Sequence, residues 1–188
     1  MLLKNYYFLI LFSIGINVSA QTYVKVNGFT LPALMLNAGI ETKLTDKTTF
    51  QADVFVSPWK SLFGNRMLFA IGSLEYRYYF TESFKSWYIA ANTGAAVYRM
   101  QKYNHLNLGI HQEGYSVFLG ATVGYVVKVN DKINLDIFLG GGNAQSKYRS
   151  YFNAFPDIRA DKEEGASING SGEWIPYKGG VMISYQLK

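Results

Sequence analysis

The sequence predicts an all-β fold: an eight-stranded antiparallel up-and-down transmembrane β-barrel behind a cleaved leader. Three observations predict it. Apolar residues recur at every second position through the chain after residue 21, short and long connections alternate between these runs, and aromatic residues gather toward the ends of the runs. A period of two means strands with one apolar face, and helical spacing fits none of the runs.

The leader comes first. Lys4 supplies a positive start, Tyr6 to Ile16 an apolar core, and Val18-Ser19-Ala20 the small residues a signal peptidase reads. The apolar run is far shorter than the roughly 20 residues a spanning helix needs. It therefore predicts an export signal over 1–20, cleaved before Gln21, rather than a short buried helix. Residues 21–188 then form one barrel domain. The chain has no cysteine, which excludes a lipid-modified N-terminus and a disulfide framework. Composition agrees with a membrane barrel: 16% of residues are aromatic and 16% charged, against about 25% charged in soluble domains. The formal charge of +5 is scattered, with no basic cluster among stacking aromatics, so nucleic acid is not expected as a partner.

The strands are expected, in order, near 22–30, 34–44, 48–57, 68–80, 87–100, 114–128, 133–148 and 177–187. The first is weakly patterned, because Gly28 and Pro32 suit strands poorly. The clearest alternation lies late in the chain. Val117, Leu119, Ala121, Val123, Tyr125 and Val127 share one face of the sixth run. Ile133, Leu135, Ile137 and Leu139 share one face of the seventh, and Val181, Ile183, Tyr185 and Leu187 one face of the last. Thr45–Lys47, Thr81–Ser86 and Asn130–Lys132 read as short turns, and 58–67, 101–113 and 149–176 as long loops. Bacterial outer-membrane barrels have this asymmetry, with short periplasmic turns and long outer loops. Parity closes if Leu31 to Ala33 make a tight outer turn around Pro32.

Aromatic placement follows the same axis. Tyr76, Tyr78, Phe80, Trp87, Tyr125 and Tyr185 fall toward the short turns. Trp59, Phe63, Tyr98, Tyr115, Tyr148, Trp174 and Tyr177 fall toward the loops. Two girdles at headgroup level are expected of a spanning barrel. A soluble barrel of the lipocalin type is the structural alternative. It would turn charged residues outward, whereas the faces opposite the apolar ones are here poor in charge and rich in glycine.

With the apolar faces on lipid, the lumen receives Lys25, Glu41, Asp53, Glu75, Arg77, Lys128 and Asp136. Eight strands leave room only for side chains, so these charges must pair. Glu41, Asp53, Glu75, Arg77 and Asp136 are the expected lumen network, with Arg77 beside Glu75, Asp53 or Asp136. A structural plug of salt bridges is the main expectation, and a gated ion path the alternative. At the rim, Pro58 is expected to end a strand, Trp59 to sit at the lipid interface, and Lys60 to reach anionic headgroups or lipopolysaccharide phosphates.

Two segments, Asp53 to Lys60 (DVFVSPWK) and Leu74 to Phe80 (LEYRYYF), with Leu135 to Gly142 (LDIFLGGG) before Tyr148, resemble a Bacteroidota family of outer-membrane barrel domains of unknown function. The resemblance spans about Lys25 to Leu187. Phe84-Lys85-Ser86 departs from it, standing where many members have a glycine-containing turn. What it implies is an outer-membrane barrel, sometimes encoded near surface-fimbria or adhesin genes. It carries over no activity, cofactor or catalytic residue.

Chemistry-bearing residues are few. His105 and His111 lie in the 101–113 loop, near Glu113 and Ser116, where a lipid-modifying hydrolase would need a fixed geometry. Two histidines without cysteine give no metal site. Gly140-Gly141-Gly142 opens no helix, so it is no phosphate loop and reads as a place for bending or close packing. The 149–176 segment mixes Arg149, Asp157, Arg159, Asp161, Lys162, Glu163 and Glu164 with Phe152, Phe155 and Trp174, a composition suited to a surface protein partner, with a solvated loop as the alternative. The expectation is a non-enzymatic outer-membrane barrel without cofactor, in contact with outer-membrane lipid and lipopolysaccharide. It would be structural, adhesive or accessory to a surface assembly through its loops. A narrow channel or ligand conduit, and a lipid-modifying hydrolase, are the alternatives.

Overall fold

The structure is a computed structural model, and it describes residues 21–101, 108–160 and 169–187. The leader, His105 and Asp161 to Glu164 lie outside the described residues. Eight strands follow one another: β1 (Thr22–Asn27), β2 (Leu36–Lys43), β3 (Thr48–Leu62), β4 (Asn65–Tyr79), β5 (Ser86–Met100), β6 (Ile110–Lys128), β7 (Ile133–Phe152) and β8 (Asn169–Gln186). Each pairs antiparallel with the next, and β8 returns to β1, so the sheet closes on itself. Among the described residues there is no α-helix. Closure removes the free sheet edges that would otherwise invite aggregation.

Alternation decides what faces in. Lys25, Glu41, Gln51, Glu75, Arg77 and Asp136 are buried in the ring, whereas Ile40, Val54, Leu74, Ile89, Leu119, Val123, Leu139 and Ile183 are exposed on its outer wall. A soluble protein does the reverse. The end carrying the β2–β3, β4–β5 and β6–β7 turns is called lower here, and the other end upper.

Lower turns are tight and self-bonded. In each, a lysine pairs with an acid three residues away: Lys43 with Asp46, Lys85 with Glu82, and Lys128 with Asp131. Hydrogen bonds from these lysines hold the Asp46, Glu82 and Asp131 carboxyls below the ordinary carboxylate range. Such exposed pairs contribute little to stability. Lys128, expected in the lumen, thus sits at the rim, because it ends β6 where the barrel wall stops. The β4–β5 turn does more. Phe84, at φ 64°, is buried and tucked under the barrel, its ring 4.5 Å from that of Tyr23 and 6.1 Å from that of Tyr79. It stoppers the lower mouth.

The β1–β2 connection is one 3-10 turn, Leu31–Ala33, with Pro32 near its start, the tight turn expected there. The other upper ends differ from the sequence reading. The 58–67 segment is not a loop. β3 runs on to Leu62 and β4 begins at Asn65, joined by Phe63 (φ 49°) and Gly64 (φ 82°). Left-handed φ at both central residues gives the type I′ hairpin turn, whose twist matches that of the strands. Pro58 does not end its strand but stands within it opposite Leu68. The 149–176 segment shrinks likewise, because β7 continues to Phe152 and β8 starts at Asn169.

Candidate functional site in the lumen and at the upper rim

Arg77, fully buried on β4, is the hub of the lumen. Its Nε and Nη2 donate to Glu75 Oε2 at 2.8 and 2.7 Å. Its Nη1 donates to Asp136 Oδ2 at 2.7 Å and Glu41 Oε2 at 3.1 Å. The guanidinium also lies 4.5 Å from the Tyr88 ring centre, within cation–π range. Lys25 donates to Glu41 Oε2 at 2.6 Å, to Gln51 Oε1 at 3.0 Å and to Asp136. Hydroxyls complete the acceptors: Thr49 and Tyr79 donate to Glu41 Oε1 at 2.5 and 2.7 Å, Tyr88 to Asp136 Oδ1 at 2.8 Å, and Thr122 to Glu75 Oε1 at 2.6 Å.

Asp53 does not touch Arg77, one of the partners expected for it. Two β-strand steps above, it takes Lys178 at 2.6 Å, Gln51 at 2.9 Å and Ser73 at 2.8 Å. Lys178 also reaches Glu75 Oε1 at 3.1 Å, which joins the two clusters. Three cations thus meet four carboxylates, and every carboxylate oxygen accepts at least one hydrogen bond. Charges so deep in a low-dielectric interior persist only when paired and bonded in this way.

Lys178 is legible in the sequence, since it shares the parity of Met182 and Ser184, the inward residues of β8. Tyr177 was not legible. The β7–β8 register jumps from Gly140↔Lys178 to Gly141↔Pro176, leaving Tyr177 unpaired in a bulge. Both Tyr177 and Lys178 consequently point inward, as a bulge allows for adjacent residues. Tyr177 donates to Asn92 Oδ1 at 2.5 Å and packs on Phe118, ring centres 4.4 Å apart. Sequence parity would have placed it in the outer girdle.

The cavity beside Asp53, Phe55, Phe118, Tyr177 and Lys178 measures about 20 Å³, close to the volume a single water occupies.

The rim motif is split. Pro58 and Lys60 are exposed, but Trp59 lies on the inward side of β3 with Ser57 and donates its indole N–H to the Ala33 carbonyl at 2.7 Å. It ties β3 to the β1–β2 turn instead of facing out. Trp59→Phe is expected to keep the fold and lower its stability by about 0.5–1.5 kcal/mol, the worth of one such bond, measured as the shift in urea midpoint.

At the upper end His111 is buried, with Asn153 Oδ1 2.9 Å from Nδ1 and Glu113 Oε1 3.1 Å from Nε2. Glu113 also pairs with Arg99 at 2.5 Å. Ser116, by contrast, faces the lumen and bonds to Ser146 at 2.6 Å. Both ring nitrogens of His111 are engaged, and the serine expected beside it lies on the other face of β6. Among the described residues no group of His, Asp and Glu is arranged to hold a metal.

Fold and site together define a small closed β-barrel with an apolar outer wall and an interior core of ion pairs. The chain belongs to the family described as a protein of unknown function, DUF3575, whose model matches residues 6–187. No curated protein and no solved structure matches it.

Proposed function

We propose that this protein spans the bacterial outer membrane as a closed, non-enzymatic barrel, and that it serves a structural, adhesive or accessory role through its upper connections. One observation carries the reading. On outward-facing strand positions, among the described residues, charge occurs only at the upper end: Lys60, Arg66, Arg99, Glu113, Lys147 and Arg149. Below them the wall is uncharged. On β5 it runs from Trp87 to Val97, and a tilted spanning strand needs about 9–11 residues. Exposed Tyr76, Tyr78, Phe80, Trp87 and Tyr185 border the lower edge, where an aromatic girdle belongs.

The closed interior favours a scaffold over a channel. Arg77, Lys25 and Lys178 are bound to carboxylates from four strands, and Phe84 covers the lower mouth, so ion passage would require breaking several buried pairs at once. The partner-facing surface is the β7–β8 connection, where Phe155, Asp157 and Ile158 are exposed. This reading places 1–20 as the export leader and lipid around the wall.

Two measurements test it. Unheated protein in detergent is expected to migrate faster than boiled protein on a gel, and identical migration would overturn the membrane reading. In planar bilayers the inserted protein is expected to give no large, steady conductance. A steady open pore would overturn the closed-lumen reading and favour the conduit.

A further inference from the structure

We infer that the lumen binds one monovalent cation, in the small cavity that Asn37 and Asp53 line. The inference rests on the closed, charged interior and not on the membrane-spanning reading.

Net charge selects the sign of the occupant. Among the described residues, three cations and four carboxylates are buried in the ring, an excess of one negative charge. Lys43 and Lys128 at the lower rim do not offset it, since each is paired with an acid of its own turn. The excess can be located. Lys25 and Arg77 each bond to both Glu41 and Asp136, two charges against two. That leaves Lys178 between Asp53 and Glu75. Arg77 bonds to Glu75 as well, but brings no further charge. An uncompensated charge in so dry an interior is strongly unfavourable.

Protonation is a poor remedy, because the partners of these two carboxylates already point hydrogens at them. Ser73 Oγ accepts from Lys178 at 2.9 Å and donates to Asp53 at 2.8 Å. Thr122 Oγ1 accepts from Asn92 at 2.8 Å and donates to Glu75 at 2.6 Å. The remaining partners, Gln51 Nε2, Lys178 and Arg77, can only donate. A proton on either carboxyl would face another hydrogen.

The cavity lies where the excess lies, with Asp53 and Lys178 in its lining. Its volume of about 20 Å³ takes one occupant the size of a water. Asn37 is an independent sign of a ligand. It lines the same cavity and is 5% exposed. Its Nδ2 donates to the Val54 carbonyl at 3.4 Å, which sets the amide, and its Oδ1 is buried without a partner. Such an acceptor is costly to leave bare. A water or a cation would satisfy it, and the excess charge favours the cation. A divalent ion would overshoot a single excess charge. Magnesium also keeps several waters, for which a cavity walled by Phe55, Ile71, Phe118 and Phe138 has no space.

Urea unfolding of the barrel in sodium, potassium and choline chloride at equal ionic strength tests this, choline being too large for the cavity. The midpoint in sodium or potassium is expected to lie above that in choline, because a ligand of the folded state alone stabilises it. Asp53→Asn removes the excess charge and Asn37→Leu removes the free acceptor, and each should abolish the difference. Equal midpoints in the three salts, or a difference that survives both substitutions, would overturn the site and leave a water there. Should neither variant fold, crystals of the unaltered protein grown in thallium(I) decide the matter. Anomalous density between Asn37 and Asp53 is expected, and its absence would overturn the site. The gel shift of the unaltered protein reads the membrane proposal separately, so either can fail without the other.

Discussion

Arg77→Met is expected to lower the unfolding free energy by about 3–5 kcal/mol, the cost of removing one partner from a buried ion pair. Methionine fills much of the same volume, so the loss is electrostatic. Glu75 Oε2 loses both of its donors, Nε and Nη2, and Asp136 and Glu41 each lose one. Lys25 still serves Asp136 and Glu41, and Lys178 and Thr122 still serve Glu75 Oε1, so Glu75 Oε2 is the oxygen left bare. Adding Glu75→Gln to Arg77→Met removes that stranded charge and should recover part of the loss. Arg77→Lys should fall between, since one ammonium cannot reproduce the planar fork. Urea titration of the barrel folded into vesicles, followed by the gel shift, reads all of them. An Arg77→Met midpoint equal to that of the unaltered protein would show that the network contributes nothing to stability.

The second large effect concerns Gly124→Val. A Cβ at Gly124 would lie 2.5 Å from Tyr88 Cε1 and closer still to its Cζ and hydroxyl. The tyrosine crosses the bare backbone of β6 only because glycine leaves it room. That ring supports the Arg77 guanidinium from below and donates to Asp136 at 2.8 Å. Overpacking costs about 1–3 kcal/mol, and losing a hydrogen bond to a charged group about 1.5–3 kcal/mol. The two overlap, so a total of about 3 kcal/mol is expected. Gly72→Val is the control: its Cβ meets nothing within 4 Å, and it should be nearly neutral. Tyr88→Phe keeps the ring and should lose only the hydroxyl's share. A double-mutant cycle between positions 88 and 124 should give a coupling well outside additivity, because the residues are in contact. An additive cycle would sink this account of Gly124.

Element boundaries were legible where the outer wall is apolar and lost where it turns polar. β4 and β5 were located within a few residues, but β3, β6, β7 and β8 extend well past their expected upper ends. On β7 the outward residues above Gly141 are Asn143, Gln145, Lys147 and Arg149. With both faces polar, the period of two loses its contrast, while the hydrogen-bonded ladder continues unaffected. Backbone pairing does not need apolar side chains, so alternation marks the apolar band and not the strand.

What the sequence by itself determined is the sorting of faces. A period of two commits each residue to one side of the wall, and that alone sends Glu41, Glu75, Arg77 and Asp136 into a lumen too narrow for unpaired charge. Tertiary structure decided who pairs with whom. Register around the ring brings Lys178 to Asp53 and leaves Arg77 to Glu41, Glu75 and Asp136, contacts between strands far apart in the chain. It also decided the exceptions. One unpaired residue in β8 turns Tyr177 inward, and the nearby β1–β2 turn offers Trp59 a carbonyl. Both depend on what a neighbouring strand presents, and alternation along a single strand holds no record of its neighbours.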